Sequence, residues 1–248
     1  MHIPRSWLAA ITGLVIAAIF TLVVTVPWPL DGSSTPAAEA ATSPESRRDG
    51  PLRVMPLGDS TTEGNGEQVP GGYRPYLWQL AQQENAAIDF VGSQVSGPAG
   101  LPDRDHEGYP GLQIQEIEQK AALTVPQYRP DVILLHIGTN NIWRPEEMPD
   151  VAPQRLARLI EHLTTLAPLA HLYVASIVPS VQHESNVRSF NETIPSIVAD
   201  SAARGNNVSF VDQYSGLSFD DLIDGIHPNA GGYEKMAERW WEALRSGE

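Results

Sequence analysis

Apolar residues recur along this chain in two spacings. Short, nearly continuous runs occupy residues 52–57, 88–91, 132–137, 172–178 and 208–211, each the length of a strand and each bounded by turn-forming residues. Between them the spacing switches to helical steps, which predicts helices over residues 76–83, 114–123, 153–166, 187–203 and 231–244. The third shows the pattern best: Leu156, Leu159, Ile160, Leu163 and Leu166 recur at three- and four-residue steps and draw one stripe along a helix. The run at 132–137 is almost wholly apolar and follows Pro130-Asp131, as expected of a central strand covered on both faces. Strands alternating with helices predict an α/β fold, three layers α/β/α around a parallel sheet of about five strands, flavodoxin-like in outline.

The first fifty residues break this pattern. Residues 8–26 carry no charge, Arg5 precedes them and Pro27-Trp28-Pro29 ends them, which matches a signal peptide or a membrane anchor within residues 1–30. Residues 31–50 are rich in Ser, Thr, Pro, Ala and Glu and read as a flexible linker, since they bury too little apolar surface to offset ordering entropy. A single folded domain is expected over 51–248, secreted or anchored outside the cytoplasm. The chain of 248 residues has no cysteine and a net charge of -14. A domain of this size needs no disulfide staples, and the acidic balance argues against a nucleic-acid partner.

Candidate chemistry sits at the ends of the predicted strands. Gly58-Asp59-Ser60 follows the first run, so the Ser60 hydroxyl is expected at the carboxyl edge of the sheet, where open α/β sheets bind ligands. Serine needs a base within hydrogen-bond reach and a third group to fix that base's tautomer. Asp224-Gly225-Ile226-His227-Pro228 offers both: His227 as base and Asp224, three residues earlier, to orient it. Charge developing on a substrate oxygen needs placed donors. Gly108-Tyr109-Pro110-Gly111 and Gly138-Thr139-Asn140-Asn141 lie where strands pass into helices, and Gly111 N–H and the Asn140 amide are the candidates; taken singly, each reads first as ordinary turn chemistry. Tyr73, Tyr109 and Trp143 flank these loops and are candidates to stack on a sugar ring, or to anchor the loops.

Taken together, Gly58-Asp59-Ser60, Gly111, Gly138-Thr139-Asn140 and Asp224-Gly225-Ile226-His227-Pro228, in this order, resemble the four blocks of the SGNH (GDSL-type) hydrolases. More narrowly, Gly71-Gly72-Tyr73-Arg74-Pro75-Tyr76-Leu77, Phe90-Val91-Gly92-Ser93-Gln94, His106-Glu107-Gly108-Tyr109-Pro110-Gly111 and Leu135-His136-Ile137-Gly138-Thr139-Asn140 are similar to carbohydrate esterase family 3, whose members include acetyl xylan esterases. The resemblance implies Ser60 as nucleophile, His227 as base, Asp224 as its partner, and an oxyanion hole from Ser60 N–H, Gly111 N–H and Asn140. It implies a serine esterase that removes short acyl groups, acetyl first among them, from carbohydrate hydroxyls. One departure is Asn141, where the family block usually carries Asp. A lipid or thioester hydrolase or an O-acetyltransferase of the same fold are the rival enzymes; a non-catalytic carbohydrate-binding module is the rival of another class.

No metal or cofactor is implied. Asp103, Asp105 and Glu107 imitate the start of a calcium loop, but its twelfth position is Ile114 and Pro110 interrupts it. His106-Glu107 and His183-Glu184 lack the second histidine of a zinc helix. Asn191-Glu192-Thr193 and Asn207-Val208-Ser209 fit the N-glycosylation pattern.

Overall fold

The computed structural model describes residues 50–64, 69–144 and 151–247; the expected leader and linker lie outside them. Arg47–Glu248 form one compact unit, built on a seven-stranded sheet. Its strands are β1 (Leu52–Gly58), β2 (Ile88–Phe90), β3 (Gln94–Val95), β4 (Asp105–Gly108), β5 (Val132–His136), β6 (His171–Ala175) and β7 (Val208–Val211). The helices are α1 (Ser60–Glu63), α2 (Arg74–Gln83), α3 (Ile114–Tyr128), α4 (Thr139–Trp143), α5 (Ala152–Leu166), α6 (Glu184–Ala203) and α7 (Ala230–Ser246).

The five runs read from the sequence are the five parallel strands β2, β1, β5, β6 and β7, in that spatial order. Two strands were not anticipated. β2 pairs with the first residues of β1, while β4 takes over the same edge at Leu57 and Gly58 and pairs antiparallel with β3 on its other side. The sheet is therefore mixed. Asp105-His106-Glu107-Gly108 has no apolar alternation to announce a strand; it is held by its ladder to β1 and by the buried contacts of its polar side chains.

Side chains of the central strands alternate between two cores, as the two-residue period of a strand requires. Met55, Leu57, Ile133, Leu135, Leu172 and Val174 face one layer, with Ile117, Leu159 and Ile194, so α3, α5 and α6 cover that face. Val54, Val132, Leu134 and Tyr173 face the other, with Leu77, Met236 and Trp240, so α2 and α7 cover it. The α5 stripe behaves as predicted: Leu156, Leu159, Ile160 and Leu163 are at most 1% exposed, and Leu166 packs at its margin.

The chain leaves β1 toward β2 on one side, and returns through β5 on the other. The carboxyl ends of β1 and β5 thus flank a reversal of strand order, the crevice where such sheets bind ligands. Both polar loops of interest hang there.

Candidate active site

Ser60 owes its place to its two predecessors. At Gly58 a Cβ would stand 2.1 Å from the His136 carbonyl oxygen and 2.4 Å from Thr62 Oγ1, so β1 and β5 pack this closely only around a glycine. Asp59 then caps α1, its Oδ1 accepting the Thr61 N–H at 3.0 Å. Ser60 begins the short helix with its hydroxyl turned to the crevice.

The segment from Leu222 to Pro228 brings the other two side chains over. Leu222 and Pro228 pair as a β-bridge, and Ile223 N–H donates to the His227 carbonyl at 2.8 Å, closing a loop around Asp224. Asp224 Oδ1 accepts the N–H groups of Ile226 (3.0 Å) and His227 (2.8 Å), and Oδ2 accepts the His227 Nδ1 hydrogen at 2.7 Å. His227 Nε2 lies 2.8 Å from Ser60 Oγ. With Nδ1 donating to the carboxylate, Nε2 is left as the acceptor facing the hydroxyl. Burial raises the Asp224 carboxyl, but hydrogen bonds from the His227 backbone and ring and from Ile226 outweigh it, so its pKa lies below the ordinary value.

Gly111 and Asn140 come to the same place by different routes. Tyr109-Pro110-Gly111-Leu112 is a turn closed by Leu112 N–H to the Tyr109 carbonyl at 3.2 Å. Proline in its second position and a φ of +77° at Gly111 mark a type II turn, which demands glycine there. From α4, the Asn140 Nδ2 donates to the Leu112 carbonyl at 3.0 Å, and Arg144 Nη2 donates to the Gly111 carbonyl at 2.6 Å. An amide carries two hydrogens; Leu112 takes one from Asn140 and leaves the second for the crevice. Ser60, Gly111, Thr139, Asn140, Trp143, Ile226 and His227 line one cavity of about 250 Å³.

Asn141 turns away from that cavity. It is 1% exposed, its Oδ1 accepts the Ile114 N–H at 3.0 Å at the start of α3, and its Nδ2 donates to Gln115 Oε1 at 3.3 Å. The residue that departs from the family block therefore ties α4 to α3.

Of the three aromatic candidates, one keeps its place. Trp143 lines the cavity and packs edge-on against the His183 ring, centroids 4.5 Å apart. Tyr73 is corrected: it is wholly buried and packs on Trp240, out of reach of any sugar. Tyr109 is corrected in part, since its hydroxyl donates to Glu107 at 2.6 Å and meets Ser93 Oγ at 2.9 Å, while the Lys120 ammonium covers its ring at 5.1 Å; it anchors the turn. The Asn191 sequon is likewise occupied: the side chain is buried and makes paired hydrogen bonds with the Ile177 backbone at 2.9 and 2.8 Å.

Other polar residues were not anticipated as part of the site. Asp59 is fully buried; burial pushes its carboxyl up to about 6, against the lowering effect of the Thr61 N–H and the His227 ring. Its Oδ2 has no hydrogen-bond partner among the described residues. Arg74, also fully buried, donates to the carbonyls of Glu63, Ser96 and Arg104 at 2.9–3.1 Å, fastening the end of α1 to the loop before β4. Burial, then Arg74, pull His106 down to about 3, so it stays neutral while Nδ1 accepts the Gly108 N–H at 2.9 Å and Nε2 meets Ser96 Oγ at 2.8 Å. Asp59 and Arg74 stand inside the motifs already singled out, but a motif does not tell a reacting group from its support. Asp103 accepts the N–H groups of Phe90 and Asp105, Glu107 accepts the Ser93 N–H and the Tyr109 hydroxyl, and among the described residues no cluster of carboxylates, histidines or cysteines forms a metal site.

Fold and geometry together define the class: a three-layer α/β/α protein with a serine, a histidine and an aspartate in hydrogen-bonded series at the sheet's switch point. Residues 57–235 match the model of the GDSL-like lipase/acylhydrolase family, and the chain belongs to that family. Among solved structures it is similar to a family 3 carbohydrate esterase from Clostridium thermocellum, with 35% identity and a TM-score of 0.72 over 79% of this chain and 96% of that one. A carbohydrate esterase family 3 protein from Talaromyces cellulolyticus shares 26% identity with a TM-score of 0.70 over 79% and 97% of the two chains. A multidomain esterase of Ruminococcus flavefaciens is 30% identical over 225 residues, 79% of this chain; the chain spans 28% of that relative's length.

Proposed function

We propose that this protein is a serine esterase that removes short acyl groups, principally acetyl, from carbohydrate hydroxyls. The observation that carries the reading is the continuous series Ser60 Oγ, His227 and Asp224, with contacts of 2.8 and 2.7 Å, opening on the cavity that Gly111 and Asn140 also line. Ser60 Oγ attacks the acyl carbon as its proton passes to His227 Nε2. Asp224 holds the Nδ1 hydrogen and stabilises the imidazolium that forms. The tetrahedral oxyanion takes hydrogen bonds from the N–H groups of Ser60 and Gly111 and from the second hydrogen of Asn140 Nδ2. Its collapse breaks the ester bond, and the sugar alcohol leaves with the proton from His227. Water then attacks the acyl-Ser60 ester, gives its proton to His227, and the acid departs as Ser60 recovers its hydrogen.

A short acyl group and a carbohydrate are supported by the small cavity, walled by Trp143 and Ile226, and by the similarity to family 3 carbohydrate esterases. Residues 8–26 support export, with the domain working outside the cytoplasm, secreted or tethered. The test is hydrolysis of 4-nitrophenyl esters from acetate to palmitate beside acetylated xylan. The expected result is a steep fall in kcat/KM beyond butyrate, with acetate released from the polymer. Ser60→Ala should lower turnover by about 10⁴-fold or more without loss of fold. A folded Ser60→Ala protein that keeps a tenth of the rate would overturn the mechanism; undiminished palmitate cleavage would overturn the substrate class.

A further inference from the structure

A second concavity of about 320 Å³ lies beside the catalytic loop, between the segments that follow β6 and β7, with Pro179, Glu184, Tyr214, Ser215, Ser218 and Phe219 in its wall. Two contacts join the segment between Pro179 and Glu184 to the catalytic site. On one side Val181 N–H donates to the Gly225 carbonyl at 2.9 Å, inside the loop that carries Asp224 and His227. On the other, Trp143 of the catalytic cavity packs against His183, and the next residue, Glu184, lines the second concavity. Phe219, in its wall, is one of the six exposed large apolar side chains among the described residues, at 48%. An exposed aromatic ring in the wall of a groove offers a ligand an apolar surface.

We propose that this concavity is a subsite for a further pyranose ring of the acylated chain, beyond the ring whose ester is cleaved. The inference rests on the carbohydrate reading above and extends it from a single sugar to an oligosaccharide. A pyranose presents C–H groups on its faces and hydroxyls on its edge. Phe219 offers the apolar surface that the faces need. Ser215 is exposed, and the Glu184 carboxylate, held by the Tyr214 hydroxyl and by Arg188, is an acceptor that the hydroxyl edge can meet. Neither Phe219, Ser215 nor Glu184 belongs to the catalytic machinery, so the subsite acts on binding and leaves the chemical step alone.

The test compares acetylated mono-, tri- and hexasaccharides of one β-linked pyranose, with 4-nitrophenyl acetate as the control, on the full chain and on Phe219→Ala and Ser215→Tyr. The first variant removes the apolar surface; the second fills the groove from a different element. Wild-type kcat/KM is expected to rise by about tenfold with chain length, through KM, as one stacked ring contact supplies. Both variants should lose that rise while 4-nitrophenyl acetate turnover stays within about twofold. Equal kcat/KM at all lengths in the wild type, or a rise that survives both variants, would overturn the subsite alone. Hydrolysis of 4-nitrophenyl acetate with none of any acetylated sugar would instead overturn the carbohydrate reading on which it rests.

Discussion

Asn140 and Asp59 show how single side chains divide the work of this site. Asn140 has one amide hydrogen committed to Leu112, which fixes the direction of the other. Asn140→Ala is therefore expected to lower kcat by about 10²–10³-fold with little change in KM; steady-state kinetics in which KM rises and kcat holds would make it a substrate-binding residue instead. Asp59 caps α1 and stands next to the nucleophile, yet ionising it inside the protein is costly, because its pKa is pushed from 3.8 to about 6. A carboxyl raised in the folded state binds more protons folded than unfolded between those two values, so its contribution to stability is fullest below pH 3.8 and is lost as pH rises through 6. Asp59→Asn keeps the acceptor for Thr61 and removes the buried charge. The variant should gain about 3 kcal/mol at pH 8 and only about 0.5 kcal/mol at pH 4. Denaturant melts at the two pH values check this, and a loss at pH 8 would show that the ionised form is held by contacts stronger than its burial cost.

At the scale of elements, Ser60 and Asn140 are each carried by a very short helix. α1 and α4 have four and five residues, too few to be stable alone, and their rigidity comes from neighbours: Arg74 binds the end of α1, and Asn141 binds the start of α3. An aspartate at 141 would still accept the Ile114 N–H and would place a negative charge at a helix N-terminus, provided the Gln115 amide turns to donate. Asn141→Asp is accordingly expected to change kcat/KM by less than about threefold; a larger loss would mean that the link to Gln115 positions Asn140. Long helices answer to packing. Leu159→Ala on α5, at a fully buried position, should cost about 2–5 kcal/mol through the cavity it leaves, read as a lower denaturation midpoint with an unchanged slope, and should leave the activity of the folded fraction intact.

At the scale of the whole molecule, every strand among the described residues and every proposed catalytic residue lies between Leu52 and Ser246, within the compact unit Arg47–Glu248. Among the described residues no helix is long and apolar enough to cross a membrane; the uncharged run at 8–26 lies outside them. A protein that begins at Pro51 is expected to fold, remain soluble and keep kcat/KM on 4-nitrophenyl acetate within about twofold of the full chain, because it holds every core residue found among the described ones. Insolubility or inactivity of that shortened protein, beside an active full chain in detergent, would place the first fifty residues inside the fold.

Periodicity was enough to read the five parallel strands and the five long helices, because each is a local signal; Ser60, Gly111, Asn140, Asp224 and His227, which the structure brings together, were picked out as a group only by the order of their motifs and the family resemblance it carries. A strand buried on both faces must be apolar throughout, and a helix on a sheet must repeat its apolar positions at three and four. Ends were less legible: α3 runs on to Tyr128 through Pro126, since the burial of Thr124 and Val125 outweighs the hydrogen bond that proline removes. The strands β3 and β4 left no pattern: β4 is held by its ladder to β1, far earlier in the chain, and β3 by its pairing with β4. Burial decided the aromatic residues. Tyr73 and Trp143 are alike as neighbours of glycine-rich and asparagine-rich loops, yet one is closed under Trp240 and the other lines the cavity. The charge state of Asp59 belongs to the same class of fact: a carboxyl's identity sets its reference pKa, and only the packing of distant segments around it sets how far water is excluded, and hence how far that value moves.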